Sequence, residues 1–244
     1  VIEPKRPEGA SIMQPETALY PVRVRGDLDP ALSRWQWLIK WILAIPHYIV
    51  LFFLRIAYVV VTVIAFFAIL FTGKYPRGLF DFNVGVLRWS WRVLFYALSV
   101  LGTDKYPPFS LRPDSEYPAD LEVDYPEHLH RGLVLIKWWL LAIPHYLVLA
   151  AFFYGGMRFI GNGDHDWGDG TILVPLIRIL LLIAVVALLF TARYPKGLYD
   201  FVIGINRWAI RVLAYTSLMR DEYPPFRLDM GPREPEPPAA SQPA

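Results

Sequence analysis

The chain has 244 residues, is 55% hydrophobic and 16% aromatic, and carries a formal net charge of only +2. It has no cysteine, which excludes disulfides and thiolate metal sites, and it shows no basic face of the kind that binds nucleic acid. Soluble domains usually hold ~45–50% apolar residues even with glycine counted, so the surplus points to a membrane.

Residues 1–18 are polar, contain proline and lack an apolar core. They read as a disordered N-terminal segment and not as a secretory signal. Val22-Arg23-Val24 alternates briefly, as a short surface strand would. An apolar run then extends from Trp35 to Thr72, with Lys40, His47 and Arg55 as its ionisable residues. As one helix it would reach ~57 Å at 1.5 Å per residue, against a hydrocarbon core of ~30 Å. A hairpin with a tight turn near Arg55 is therefore expected. The basic turn Lys74-Tyr-Pro-Arg77 leads into a third helix, Gly78 to Leu101. There Asp81, Arg88, Arg92 and Ser99 form a polar stripe on an otherwise apolar helix, with Gly85 beside it. Tyr106-Pro-Pro-Phe109 closes the segment, overlapping another short alternation, Phe109-Ser110-Leu111.

The plan then returns. Tyr117-Pro118 repeats Tyr20-Pro21, and Leu121-Glu122-Val123 alternates again. IKWILAIPHY (Ile39–Tyr48) comes back as IKWWLLAIPHY (Ile136–Tyr146), one residue longer. Two apolar runs, Leu133–Ile160 and Thr171–Ala192, flank the Gly/Asp-rich loop 161–170, and this loop is what suggests a hairpin in the first copy. Leu189–Tyr215 matches Leu70–Tyr96 at sixteen of 27 positions without a gap. Its third helix repeats the stripe as Asp200, Gly204, Arg207 and Arg211, and Tyr223-Pro-Pro-Phe226 closes it before a last alternation, Phe226-Arg227-Leu228. The Pro/Ala-rich tail, 229–244, lacks periodicity and reads as disordered. The expected fold is thus an all-α integral membrane protein of two tandem pseudo-symmetric repeats, 19–112 and 113–228. Each would be a transmembrane hairpin plus an amphipathic interfacial helix, with short surface strands.

Basic residues cluster at the helix starts and at both Tyr-Pro turns, whereas the 161–170 loop is acidic. The positive-inside tendency puts the Tyr-Pro turns in the cytoplasm and the loop outside a plasma membrane. Because both copies keep the same basic turns, parallel copies with two spans each are expected. The alternative is six spans in an inverted repeat.

Ile-Pro-His-Tyr, Tyr-Pro-Arg/Lys-Gly-Leu-Phe/Tyr-Asp-Phe, Arg-Trp and Tyr-Pro-Pro-Phe together resemble a bacterial membrane family known only as a domain of unknown function. The resemblance spans about residues 20–228. It implies a compact helical membrane unit, often in tandem, and implies no reaction, substrate or catalytic residue.

The candidate site residues are those said twice. Arg88/Arg92 and Arg207/Arg211 are i, i+4 pairs, and guanidiniums in low dielectric need an anion. One reading is a bound phosphate or carboxylate, such as an anionic lipid headgroup. The other is internal pairing with Asp81 and Asp200, or snorkelling. His47 and His145 follow a helical proline and, with Lys40 and Lys137, form a candidate polar core. A structural role outweighs a proton relay or metal site for two histidines without further ligands. The acidic loop departs from the calcium-loop pattern and is absent from the first copy. The tryptophans and Tyr-Pro turns read as interfacial anchors. No cofactor is expected. The leading functional expectation is a non-enzymatic membrane scaffold or accessory subunit. It would bind anionic lipid, a membrane partner or another copy through Arg-striped helices. The alternatives are a transporter component with a polar path between the repeats and, more weakly, a lipid-modifying enzyme.

Overall fold

The computed structural model describes residues 20–153, 156–159, 172–191 and 193–234. The expectations for residues 1–18, for the loop 161–170 and for the tail past residue 234 lie outside them. The elements run in the order β1 (Val22–Gly26), α1 (Trp37–Leu43), α2 (Ile45–Thr72), α3 (Arg77–Val93, continued by a wider turn over Leu94–Leu98) and β2 (Ala119–Val123). There follow α4 (Arg131–Ile136, with a wider turn over Lys137–Leu141), α5 (Ile143–Phe153), β3 (Gly156–Phe159), β4 (Ile172–Pro175), α6 (Leu176–Thr191) and α7 (Lys196–Thr216).

The expected hairpin in Trp35–Thr72 is not there. The chain breaks at Ala44, just before Pro46, and α2 then runs 28 residues without interruption past Arg55. Proline has no N–H to give the preceding turn, so it starts a helix well and continues one badly. Nothing at Arg55 supplies a turn. The analogy runs the other way. In repeat 2 the helix equivalent to α2 is divided into α5 and α6 by the 154–175 segment, which repeat 1 lacks. Among the described residues, two helical stretches, Ile45–Thr72 and Arg131–Phe153, are long and apolar enough to cross a membrane, and α6 is a shorter apolar helix.

Helix α2 ends on Gly73 at φ +72°, whose N–H reaches the Ile69 carbonyl at 2.7 Å. This is the left-handed stop that glycine reaches at least cost. Pro76 and Pro195 then open α3 and α7. Tyr75, expected at a membrane surface, is instead fully buried, and its hydroxyl accepts from Asn83 Nδ2 at 2.9 Å. Leu101 (φ +57°) and Leu218 (φ +66°) are left-handed at equivalent points after the third helices, so both repeats turn out of the helix the same way.

The expected interfacial helices are core helices. Phe80, Val84, Leu87, Trp91 and Val93 of α3 are buried, as are Tyr199, Ile203, Ile205, Trp208 and Val212 of α7. Of the tryptophans read as surface anchors, Trp89, Trp91 and Trp208 are buried, whereas Trp35, Trp41, Trp138 and Trp139 are exposed.

Two of the four alternating stretches are strands. β1 pairs antiparallel with β2, with Val24 opposite Leu121 at the centre of the register. Val22, Val24, Ala119 and Leu121 face the core, while Arg23 bridges outward to Glu122 at 3.3 Å and Asp124 at 2.7 Å. Phe109–Leu111 and Phe226–Leu228 are irregular segments wrapped over α3 and α7. They come so close that a Cβ on Gly85 would lie 2.8 Å from Leu111 Cβ and 3.0 Å from its carbonyl oxygen, and one on Gly204 3.3 Å from Leu228 Cβ.

Candidate functional site

Each repeat carries three polar constellations, centred on equivalent positions of the two repeats. The first joins α1 or α4 to the segment after the third helix. Lys40, 2% exposed, puts Nζ 2.6 Å from Asp104 Oδ1 and 2.8 Å from the Thr103 carbonyl. Lys137, fully buried, bonds Asp221 Oδ1 at 2.7 Å and the Arg220 carbonyl at 3.0 Å. Tyr96 and Tyr215 lie under the two ammonium groups at 5.4 and 5.6 Å. The second carboxylate oxygen receives the N–H of Ser33 (2.5 Å) or His130 (2.6 Å). These carboxylates were legible and overlooked: an aspartate stands two residues before Tyr-Pro-Pro-Phe in both copies.

The second constellation gathers the duplicated motifs into an aromatic box. His47 stacks on Phe109 at 3.9 Å, with Tyr106 at 4.9 Å, and its Nδ1 accepts from Trp89 Nε1 at 3.0 Å. That bond places the imidazole proton on Nε2, which has no partner among the described residues. His145 stacks on Phe226 at 4.1 Å with Tyr223 at 4.7 Å, but Trp208 Nε1 makes no bond to it. The hydroxyls of Tyr106 and Tyr223 donate to the carbonyls of Leu43 (3.0 Å) and Leu141 (3.2 Å), at the break before each Ile-Pro-His-Tyr. Among the described residues, no three His, Asp or Glu side chains gather as a cation would need.

The third constellation is the pair of Arg cradles, and it corrects the expected partners. Asp81 pairs with the exposed Arg77 at 3.3 Å, and among the described residues Asp200 forms no ion pair with an arginine. Arg88 Nε lies 3.0 Å from Asp120 Oδ1 and bonds the Leu121 carbonyl, while Nη1 bonds the Leu111 carbonyl, both at 2.9 Å. Arg92 Nη2 bonds Asp120 Oδ1 at 3.1 Å and the Arg112 carbonyl at 3.0 Å. In repeat 2, Arg207 bonds the carbonyls of Val24 (3.1 and 3.0 Å), Gly231 (3.0 Å) and Asp229. Arg211 Nη2 lies 2.6 Å from Asp229 Oδ2 and 2.9 Å from Glu234 Oε1. Residues 229–234, expected in the disordered tail, are thus packed on α7.

The strands are exchanged. β2, at the start of repeat 2, supplies Leu121 to Arg88 of repeat 1, and β1, at the start of repeat 1, supplies Val24 to Arg207 of repeat 2. One apolar cluster runs across the junction through Val22, Val24, Leu121 and Ile203.

A model of a protein family described as a domain of unknown function (DUF4389) matches residues 34–110 and 172–227. No curated protein and no solved structure matches the chain. All four cradle arginines fall within the matched regions, and Asp120, Asp229 and Glu234 fall outside them.

Proposed function

The chain belongs to the DUF4389 family, and we propose that it is a non-enzymatic scaffold or accessory subunit embedded in a plasma membrane. One observation carries this reading: the duplicated lysines and cradle arginines are buried against carboxylates, while the outer faces of α2, α5 and α6 stay exposed and apolar. Phe52, Val59, Val63, Phe67 and Phe71 on α2 and Leu147, Leu182 and Phe190 on α5 and α6 are all more than half exposed. In water such a face is a liability, and in lipid it is the expected surface.

The charges suit a bilayer of ordinary thickness. Residues 56–72 of α2 would reach ~26 Å between the exposed Arg55 and Lys74, close to a ~30 Å core. Helix α3 returns behind α2, shielded from lipid. The sheet runs along both third helices: Tyr125, just past β2, reaches the Tyr75 carbonyl, and Tyr199 reaches the Gly26 carbonyl at the end of β1. Because β1 and β2 are antiparallel, α3 and α7 are antiparallel too, and the two Tyr-Pro turns, expected on one side, lie at opposite ends of the third helices. The Trp-bearing α1 and α4 take the interfacial position. The antiparallel strand pair relates the repeats by a two-fold axis across α3 and α7, which for helices that cross a bilayer is the inverted arrangement. A transport path between the repeats gains no support, because the apolar cluster fills their junction.

The cysteine-free background makes a labelling test direct. After alkaline carbonate extraction the protein should remain with the membrane. Lys74→Cys and Lys196→Cys should react with an impermeant maleimide from opposite sides. Release by carbonate, or labelling of both Tyr-Pro turns from the same side, would sink the reading.

A further inference from the structure

The two cradles are built differently, and the difference points to a ligand. In repeat 1 the counterion belongs to the frame. Asp120 sits within β2, touches both Arg88 and Arg92, and its Oδ1 also receives the Leu121 N–H at 2.9 Å. Strand exchange makes β1 the equivalent provider for repeat 2. The position on β1 that corresponds to Asp120 is Arg23, set by the Tyr20-Pro21 and Tyr117-Pro118 alignment. Repeat 2 therefore has the two buried arginines of the cradle and no frame carboxylate to meet them.

The carboxylate comes from the segment after Tyr-Pro-Pro-Phe. Glu234 Oε1 lies 2.9 Å from Arg211 Nη2 and 3.7 Å from Arg207 Nε, and it accepts the Val24 N–H at 3.2 Å. Two guanidiniums and a backbone N–H around one oxygen form an oxyanion site. The fit is incomplete. Arg211 is fully buried, yet among the described residues none of its three nitrogens has an aligned acceptor, since its contacts with Asp229 and Glu234 lie off the N–H directions. Glu234 Oε2 is also buried without a donor. Unmatched polar atoms in low dielectric are costly, so a planar carboxylate on a side-chain tether is a poor filler here. A tetrahedral oxyanion, with oxygens in three directions, could meet both guanidiniums and the N–H together.

There is room for one. On its other side Glu234 lines a cavity of about 390 Å³ between the sheet and the 229–234 segment. Arg23, Arg25 and Arg233 add positive charge to its walls, and Asp120 and Glu122 add negative. Arg23 and Arg25 are already partnered, by Glu122 and Asp124 and by the Tyr117 carbonyl, while Arg233 reaches only Asp27 at 3.5 Å. A swing of Glu234 into this cavity would open the arginine pair to it.

We propose that the Arg207/Arg211 cradle is a binding site for a phosphate group, and that Glu234 occupies it as an internal stand-in which the phosphate displaces. The inference rests on the cradle geometry and stands whether or not the helices cross a bilayer. The phosphate could belong to a lipid headgroup or to a free anion, and the test has an arm for each.

Full-length protein in uncharged detergent is titrated with inorganic phosphate by calorimetry. The same protein in phosphatidylcholine nanodiscs, with and without phosphatidic acid, is assayed for lipid retention. The stand-in lowers apparent affinity by the fraction of time it holds the site, so Glu234→Gln should tighten binding by about tenfold or more if Glu234 is in place over ~90% of the time. Adding Arg211→Gln should abolish that gain. Binding in detergent assigns a free anion, and enrichment of phosphatidic acid alone assigns a lipid. A folded Glu234→Gln protein with wild-type affinity for both probes overturns the proposal. If that variant fails to fold, hydrogen exchange on the wild type decides. Phosphate at constant ionic strength should speed exchange across 229–234, and unchanged exchange there overturns the proposal equally.

Discussion

Replacing Lys40 by methionine should expose the worth of the Lys–Asp clip. Methionine keeps most of the stem, so little cavity forms, and the loss is that of an ammonium 2.6 Å from Asp104 and 2.8 Å from the Thr103 carbonyl. Breaking a buried pair by removing one partner typically costs ~3–5 kcal/mol. Asp104 keeps the Ser33 N–H at 2.5 Å and its side chain is 16% exposed, so Lys40→Met belongs near the low end, at about 3 kcal/mol. Asp104→Asn keeps an acceptor for Ser33 but strands an ammonium that is only 2% exposed, which belongs near the high end, at about 4–5 kcal/mol. Removing both charges leaves neither group stranded, and the double variant should lose only about 1–2 kcal/mol, because a buried pair and its apolar replacement are nearly matched. At ~2–4 °C per kcal/mol for a chain of this length, each single variant should melt roughly 10 °C lower and the double only a few degrees lower. The assay is thermal or denaturant unfolding of purified protein, read as a double-mutant cycle. Lys40→Met combined with Asp221→Asn is the control, since those residues sit in different repeats and should add. If Lys40→Met and Asp104→Asn also add to within ~0.5 kcal/mol, the two side chains are not a pair and the reasoning fails.

Three further outcomes follow from the contacts. Gly85→Ala should destabilise more than Gly204→Ala, by about 1–3 kcal/mol against under about 1 kcal/mol, since the wrap over Gly85 presents backbone at 3.0 Å and the nearest atom over Gly204 is a side-chain carbon at 3.3 Å; equal melting shifts would refute this. Trp89→Phe removes the donor to His47 Nδ1 and should cost about 1–3 kcal/mol, whereas Trp208→Phe removes an N–H that bonds nothing and should cost less, as paired melting curves would show. Burial raises the hydroxyl of Tyr75 to about 12, and raises those of Tyr20 and Tyr117 as well. The folded state therefore holds these protons more tightly than the unfolded one. Their contribution is complete below pH ~10, the unfolded tyrosine value, and is lost as pH climbs through the raised values. Tyrosinate absorbance from these residues should rise only together with unfolding; free titration near pH ~10 in folded protein would contradict their burial.

How much of this was legible depends on how far apart the partners stand. Whatever is local and duplicated can be read from the chain. The Tyr-Pro turns, the third helices, the short strands β1 and β2 and the buried lysines and histidines all announce themselves by appearing twice. The hairpin at Arg55 failed because a loop that only repeat 2 carries was projected onto repeat 1, when Pro46 already marked the real break. The third helices misled because a stripe of arginine on an apolar helix looks the same whether it faces lipid headgroups or an internal carboxylate. The wheel gives the face and not its neighbour.

The counterions were illegible for a stronger reason. Each cradle is completed from outside its own helix, and from different places: a strand residue at 120 in one case, a segment at 229–234 in the other. Comparing copies could not find them, because strand exchange sets Arg23 where symmetry asks for the equivalent of Asp120. A carboxylate there would have neutralised the second cradle as permanently as the first. Its replacement by arginine leaves a buried positive pair whose anion arrives on a segment that can leave, and that is the physical difference between a structural ion pair and a site.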